Sequence, residues 1–148
     1  MAGTFLVVRA GSERVGLGLS AVREVVDVVE PRPVPARSTA LRGVMPLHER
    51  YVSLLHLGAL LGGAGPPEAL GDTAVVVMIG SSSVALEVEG VEDVADRTAT
   101  WVGAPPAPWG TGVWQVGGDL VTVLDLGVLA ERIQETSGSG VGGQGSDG

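Results

Sequence analysis

The amino-acid sequence repeats itself at one constant offset, the one that separates Gly43 from Gly112, and this repeat constrains the fold more than any other feature. Gly43-Val44 is matched by Gly112-Val113, and the match continues without a gap into the leucine-rich segments that follow. Upstream, Gly11-Ser12 is matched by Gly80-Ser81. Because one offset is kept over four separated segments, the sequence indicates an internal duplication, and the chain is built from two copies of one unit.

Both copies have the composition of a β-structure. The chain has 148 residues, of which 45% are apolar and only 3% aromatic, so the core must consist mainly of valine, leucine and alanine, which favours strands. Short apolar runs alternate with turn segments such as Gly80-Ser81-Ser82-Ser83 and Gly117-Gly118-Asp119. We predict about five short strands per copy, arranged as two small barrels that share an interface, because one copy alone buries too little surface.

The boundaries of the copies follow from the positions of glycine and proline. We place the first unit at about residues 4–61, a Gly/Pro-rich linker at 62–72 and the second unit at about 73–134, all within one domain of residues 1–136. Asp125 lies at the N-cap position of a short amphipathic helix, which is predicted to end the folded part. Residues 137–148 form a Gly/Ser tail that is predicted to be disordered.

The charge and the absence of cysteine exclude several function classes. The net charge is −8, from 9 arginines, no lysine and 17 carboxylates, so the chain lacks the basic surface that nucleic acid binding requires. Without cysteine there is neither a disulfide nor a thiolate metal site. The longest apolar run, Ala74 to Ile79, is too short to span a membrane, and we expect a cytoplasmic protein without direct membrane insertion.

No group of residues in the sequence has the pattern of a catalytic or cofactor site. His48 and His56 are well separated, with only Glu49 beside them, which does not match a metal site. Gly16-Leu17-Gly18 lies in a strand pattern and no helix follows, so it is no dinucleotide-binding loop. No serine or carboxylate pair has a catalytic context. We therefore predict a protein without enzymatic activity, cofactor or metal.

Several segments resemble the CheW-like domain family over about residues 4–134. The resemblance lies in Arg42-Gly43-Val44, Leu47 and the segment Leu54-Leu55-His56-Leu57 that follows the predicted hairpin. Before them come Val22-Arg23-Glu24-Val25 and a proline-rich connection, in the same order as in the family. It implies two intertwined five-stranded SH3-like barrels and an adaptor that couples chemoreceptors to the histidine kinase CheA. The implied partners are the regulatory domain of a CheA-type kinase and the cytoplasmic tip of a methyl-accepting chemoreceptor.

The sequence departs from the family pattern at the tip of the first hairpin and before the first helical turn. Pro46-Leu47-His48-Glu49 stands where the family reads Asn-Leu-Arg-Gly, so the usual arginine is His48 here. An arginine fork and an imidazole do not bind alike. His56 replaces the aspartate that the second copy keeps as Asp125, and it is expected to cap the following turn less well.

The resemblance and the apolar pattern together predict a protein-binding surface. Its candidate residues are Glu24, Val25, Arg42, Gly43, Val44 and His48. We expect the valines to form a small apolar patch and Glu24 and Arg42 to set specificity. Substitution by glutamate at Arg42 or Val44 is expected to abolish co-precipitation with the kinase domain and to leave the circular dichroism spectrum unchanged.

Each candidate also has a structural interpretation. Glu24 could be a solvated charge on an edge strand, and Gly43, which is duplicated as Gly112, could mark a bulge. Arg42 has no arginine counterpart at Thr111, which favours a functional role. The three tryptophans of the second copy are either core residues or, where exposed near prolines, contact anchors.

Two further functions stay open at this point. One is a divergent scaffold of the same fold that binds only one such partner in another motility or regulatory pathway. The other is a small-ligand-binding β-barrel, which predicts a deep pocket with convergent polar groups.

Overall fold

The computed structural model describes residues 4–95 and 99–136. Within these ranges the chain forms eleven β-strands, one short 3-10 turn and two α-helices, so the predicted mainly β fold with a short C-terminal helix is confirmed. The elements of the first copy are β1 (Phe5–Ala10), β2 (Glu13–Gly18), the 3-10 turn (Leu19–Ala21), β3 (Val22–Asp27), β4 (Leu41–Leu47), β5 (Arg50–His56) and α1 (Leu57–Leu60). Those that follow are β6 (Thr73–Ile79), β7 (Ser82–Val88), β8 (Gly90–Ala95), β9 (Thr100–Gly103), β10 (Gly110–Val116), β11 (Asp119–Leu124) and α2 (Leu126–Thr136).

The repeat in the sequence is kept in the structure. Strand β10 begins and ends at the positions that the repeat pairs with the two ends of β4, and α2 begins at the position paired with the start of α1. Both long hairpins also shift register at the same point, between Leu41 and Gly43 in β4 and between Gly110 and Gly112 in β10. Because strands, bulges and helix starts coincide, the two copies are structural as well as sequence repeats.

The two copies exchange their first hairpins. One sheet has five strands in the order β3-β6-β7-β5-β4, and the other has six in the order β8-β1-β2-β11-β10-β9. Hairpin β1–β2 therefore lies in the sheet of the second copy, and β6–β7 in that of the first. In each sheet one parallel pair joins the exchanged hairpin to a strand of the other copy. These pairs are β5–β7 in the five-stranded sheet and β2–β11 in the six-stranded sheet. As domain limits, the predicted bounds of 4–61 and 73–134 stay a prediction, and the predicted tail at 137–148 lies outside the described residues.

Three apolar clusters hold this arrangement together. The largest lies between the sheets, and each sheet also encloses a small cluster of its own. Along β1, Leu6 and Val8 belong to the central cluster, whereas Phe5 and Val7 belong to the cluster of the six-stranded sheet. Strand β6 alternates in the same way between the central cluster and that of the five-stranded sheet. Both strands are buried on both faces, which explains why their sequences are almost entirely apolar.

The six-stranded sheet has one strand more than we predicted. This strand, β9, pairs with β10 at the edge of the sheet. In the first copy the equivalent segment contains Pro31 and Pro33, which have no backbone N–H to donate. The pairing there is reduced to a single bridge, in which the N–H groups of Arg32 and Val44 each donate to the other's carbonyl, at 2.7 and 2.9 Å.

Helix α2 closes the described part of the chain. The Oδ1 atom of Asp125 accepts hydrogen bonds from the N–H groups of Gly127 and Val128, at 2.8 and 3.3 Å, as the N-cap prediction requires. Leu129 is fully buried in the central cluster. Among the described residues, no helix combines the length and the apolar character needed to cross a membrane.

Candidate protein-binding surface

Two of the predicted site residues meet at the tip of the β4–β5 hairpin. His48 has a left-handed backbone with φ of 53°, and its Nε2 atom lies 2.9 Å from Oε2 of Glu24 on β3. Since β3 and β4 lie at opposite edges of the five-stranded sheet, this contact shows that the sheet curls until its edges approach. The side chains of His48 and Glu24 are 71% and 36% exposed, so a partner can reach the pair.

The two predicted valines lie on the outside of this barrel, one at each edge of the sheet. Val26 packs inside the barrel, so strand alternation points Val25 outwards, where it is 47% exposed. Met45 is buried inside, so Val44 also faces outwards and is half-buried. The structure therefore places the valines on separate strands rather than side by side, and their role in binding stays a prediction.

An exposed aromatic residue beside Val44 was missed in the sequence. Tyr51 on β5 is 56% exposed, and the guanidinium of Arg32 lies 5.7 Å from the centre of its ring, which is a cation–π contact. Tyr51 faces Pro46 across the hairpin. The available signal was its place as the only tyrosine of the chain, on the outward-facing position of a strand.

Arg42 is engaged inside the protein. Its Nε and Nη2 atoms donate to the two carboxylate oxygens of Glu87 on β7, at 2.7 and 3.0 Å. Nη1 donates to the carbonyl of Pro67 and Nη2 to that of Ala69, at 2.7 and 3.3 Å. The Arg42 side chain is only 11% exposed. The guanidinium thus fixes the linker between the copies to the five-stranded sheet, and a role for Arg42 in partner binding stays a prediction.

Glu87 is the buried half of this ion pair. Burial works to raise the pKa of Glu87, but hydrogen bonds from the Arg42 guanidinium and from the Gly71 N–H, which lies 2.7 Å from Oε2, outweigh it. The pKa of Glu87 is therefore held below its usual value. The folded state prefers the carboxylate more strongly than the unfolded chain does.

This preference predicts a pH dependence of stability. Because the folded-state pKa of Glu87 is lowered, its contribution to stability is present above the unfolded pKa of about 4.3 and is lost as the pH falls through the folded value. We expect the free energy of unfolding to fall more steeply below about pH 4.3 in the wild type than in Glu87→Gln. Urea unfolding at a series of pH values measures this, with exposed Glu49→Gln as control. Equal slopes for wild type and Glu87→Gln would contradict the role of Glu87.

The close approach of the proline-rich connection to strand β4 explains why residue 43 is glycine. Its φ is +139°, and a Cβ atom at this position would overlap the carbonyl oxygen of Arg32. Only glycine allows this backbone approach without strain. This backbone contact is sufficient to explain why residue 43 is glycine. A direct contact of Gly43 with a partner stays a prediction.

A cleft of about 420 Å³ lies between the β1–β2 turn, α1 and the glycine-rich start of the linker. Its buried histidine, His56, accepts from the Ala59 N–H at Nδ1 and so caps α1, while Nε2 lies 3.2 Å from Oε2 of Glu89. The other oxygen of Glu89 accepts from the Gly11 N–H at 2.8 Å. His56 and Glu89 are thus engaged with each other and with backbone groups of the protein.

Among residues 4–95 and 99–136, no group of three or more histidine, aspartate or glutamate side chains is placed to hold a metal ion. The histidines at the hairpin tip and before α1 each contact a single carboxylate instead.

Comparisons with known proteins agree with this architecture. The family model of the CheW-like domain matches residues 4–134. The crystal structure of the scaffolding protein TtCheW from Thermoanaerobacter tengcongensis is similar, with a TM-score of 0.71 and 18% identity, covering 84% of this chain and 90% of that one. A search of curated proteins found no match. At so low an identity the structural likeness concerns the fold, whereas the family match spans nearly all of the described chain. The chain belongs to the CheW-like domain family.

Proposed function

We propose that this protein is a non-enzymatic adaptor that couples chemoreceptors to a CheA-type histidine kinase in a cytoplasmic chemosensory array. Membership of the CheW-like family supports a scaffold or adaptor role in chemotaxis. The proposed partners are the regulatory domain of the kinase and the cytoplasmic tip of a methyl-accepting chemoreceptor. The observation that carries the proposal is the match of the CheW-like domain model to residues 4–134.

The construction of the molecule suits an adaptor. The hairpin exchange and the central cluster make each barrel depend on strands of both copies, so the two barrels cannot move apart without breaking a shared core. The Arg42–Glu87 pair also fixes the linker. An adaptor that holds two partners at a set distance requires this kind of rigid connection, because only a rigid body transmits the position of one partner to the other.

The chemistry around the hairpin tip suits a protein partner with acidic side chains. Arg23, Arg32 and Arg50 have no carboxylate partner within the part of the chain that the structure describes. Arg32 lies over the exposed ring of Tyr51. Arginine and tyrosine are among the residues most enriched at the positions that dominate binding energy. We therefore add Tyr51 to the proposed binding residues Glu24, Val25, Val44 and His48. We propose that Arg42 and Gly43 have a structural role and support this surface.

Calorimetric titration against each proposed partner tests this function. We expect Arg32→Glu, which adds repulsion to an acidic partner, and Tyr51→Ser each to weaken binding of one partner by about tenfold or more, as for central interface residues. Glu131→Arg on α2 is the control and leaves binding unchanged. Wild-type protein that binds neither the kinase domain nor the receptor tip would rule the proposal out.

One observation favours the divergent scaffold as second candidate. The position at which the family has an arginine is His48, and its imidazole is bonded to the protein's own Glu24. If the contact that the family makes through this arginine is absent here, we expect the protein no longer to bind the partner on the other side of that contact. Binding of only one of the two partners in the same titrations would favour this candidate over the two-partner adaptor.

A further inference from the structure

His56 caps α1 through a ring nitrogen that can act as a cap only while it carries no proton. A backbone N–H can only donate, so the Nδ1 atom of His56, 3.1 Å from the Ala59 nitrogen, must accept. In the neutral imidazole the proton therefore lies on Nε2, which donates to Oε2 of Glu89 at 3.2 Å. The His56 side chain is only 5% exposed, and both of its nitrogens are engaged.

Protonation of this ring removes the cap. An imidazolium carries hydrogen on both nitrogens and has no acceptor left. Its Nδ1–H would point at the Ala59 N–H, so two donors would face each other in place of one hydrogen bond. Imidazole side chains change their charge between about pH 5 and 8, so the cap of α1 is exposed to ordinary changes of pH.

The second copy caps its helix at the equivalent position with a carboxylate. The repeat pairs His56 with Asp125 and Ala59 with Val128. Oδ1 of Asp125 accepts from the N–H groups of Gly127 and Val128, at 2.8 and 3.3 Å. An aspartate stays an acceptor throughout the range in which an imidazole titrates. Of these two equivalent caps, the one on α1 therefore responds to pH and the one on α2 does not.

Carboxylates on the neighbouring elements support the charged form of the ring. Glu89 contacts Nε2 directly, Glu87 lies opposite His56 in the pairing of β5 with β7, and Glu13 on β2 lines the same cleft. An imidazolium is attracted by these charges, and its contact with Glu89 becomes a charge-assisted hydrogen bond. His56 can thus take up a proton inside the fold, at the expense of its bond to Ala59 and not of its bond to Glu89.

The cations of the neighbouring elements are engaged with other groups. Arg42 on β4 is bonded to both carboxylate oxygens of Glu87. Arg132 on α2 donates to the Leu60 carbonyl at 2.9 Å, at the opposite end of α1. On the β1–β2 hairpin, two arginines lie beside Glu92 instead, namely Arg9 and Arg14. The contact between His56 and Glu89 is therefore left to these two side chains and to the Gly11 N–H that Glu89 also accepts.

We propose that His56 is a pH-sensitive cap, which holds the first turn of α1 when neutral and releases it when protonated. In the protonated state the ring keeps Glu89 and the Ala59 N–H loses its acceptor. The Gly58 carbonyl of this turn accepts from the Gly63 N–H at 3.0 Å, so a loosened turn also loosens the start of the linker. The cap works in this way whichever proteins the adaptor binds.

Nuclear magnetic resonance of the full chain between pH 8 and 5 tests the proposal. The ¹⁵N shifts of the imidazole measure which ring nitrogen of His56 carries a proton. The hydrogen-exchange protection factor of the Ala59 amide measures the cap, corrected for the intrinsic pH dependence of exchange. As His56 becomes protonated, we expect this protection factor to fall about fivefold or more, the size of the effect of losing an N-cap. The Val128 amide, capped by Asp125, is the internal control and keeps its protection.

Two variants separate the cap from a general loosening of the protein. His56→Asn keeps an uncharged acceptor at the cap position, so the protection of Ala59 is expected to be the same at pH 8 and at pH 5. Glu89→Gln removes the charge that supports the imidazolium and keeps an acceptor for the Gly11 N–H. In this variant the fall in Ala59 protection is expected at a lower pH than in the wild type.

Three results would overturn the proposal. The first is an Ala59 protection factor that stays constant while His56 takes up its proton, and the second is a His56 ring that remains neutral down to pH 5. The third is an equal fall at Val128 or in His56→Asn, because that loosening does not pass through the ring. The wild-type measurements decide the first two results without the variants, so the test holds even if a variant fails to fold.

Discussion

Replacement of Arg42 by methionine is expected to lower the free energy of unfolding by about 3–5 kcal/mol, because it leaves a buried carboxylate without its cation. Glu87 is 2% exposed and, among the residues that the structure describes, keeps only the Gly71 N–H as hydrogen-bond donor. The carbonyls of Pro67 and Ala69 lose their donor at the same time. Urea-induced unfolding measures the change.

Two further variants identify the mechanism of this loss. Arg50→Met, on an exposed arginine of the same barrel, is expected to change stability by less than about 0.5 kcal/mol. Arg42→Met/Glu87→Leu is expected to recover part of the loss, because an apolar pair removes the buried charge. A change below about 1 kcal/mol in Arg42→Met would contradict the structural role of the ion pair. This expectation replaces the one drawn from sequence, that glutamate at Arg42 leaves the fold unchanged.

Replacement of Gly43 by alanine is expected to cost on the order of 3 kcal/mol, from positive-φ strain together with a backbone clash. The added Cβ overlaps the carbonyl of Arg32, and Cα of Pro33 lies 3.2 Å away. These are backbone atoms of a segment that prolines make stiff, so they cannot move aside cheaply. Thermal unfolding of the variant measures the loss.

The duplicated glycine supplies the matched control. A Cβ added to Gly112 would lie 2.9 Å from Nε1 of Trp101, which is the end of an exposed side chain, and the backbone there has no positive φ. The indole can turn away, so Gly112→Ala is expected to cost under about 1 kcal/mol. Equal losses at Gly43 and Gly112 would show that the approach of Arg32 is not what requires the glycine.

Much of the fold could be predicted from local sequence patterns. Alternating apolar residues and turn glycines located the strands, and a single aspartate, Asp125, located the start of α2. The pairing of β1–β2 with the second copy could not be predicted from periodicity, because a strand has the same alternation whichever copy supplies its neighbour. Strand β9 was missed because it is too short to give a pattern and prolines follow closely.

The candidate surface could be predicted only in part, for a related reason. Glu24 and His48 carry exposed polar groups on elements that the family pattern brings together, and the structure has them in contact. The partner of Arg42 could not be found, because Glu87 lies far along the chain in the exchanged hairpin. A lone arginine without a repeat counterpart has the same sequence signature whether its carboxylate belongs to a partner or to the protein itself.

Simultaneous binding of both partners tests the central claim most directly. Analytical ultracentrifugation of the full chain, mixed with the kinase regulatory domain and the receptor tip, measures whether one molecule holds both at once. The proposed adaptor, which holds both partners at once, predicts a complex that contains all three proteins. Two binary complexes that compete with each other, with no ternary species at saturating concentrations, would contradict the account.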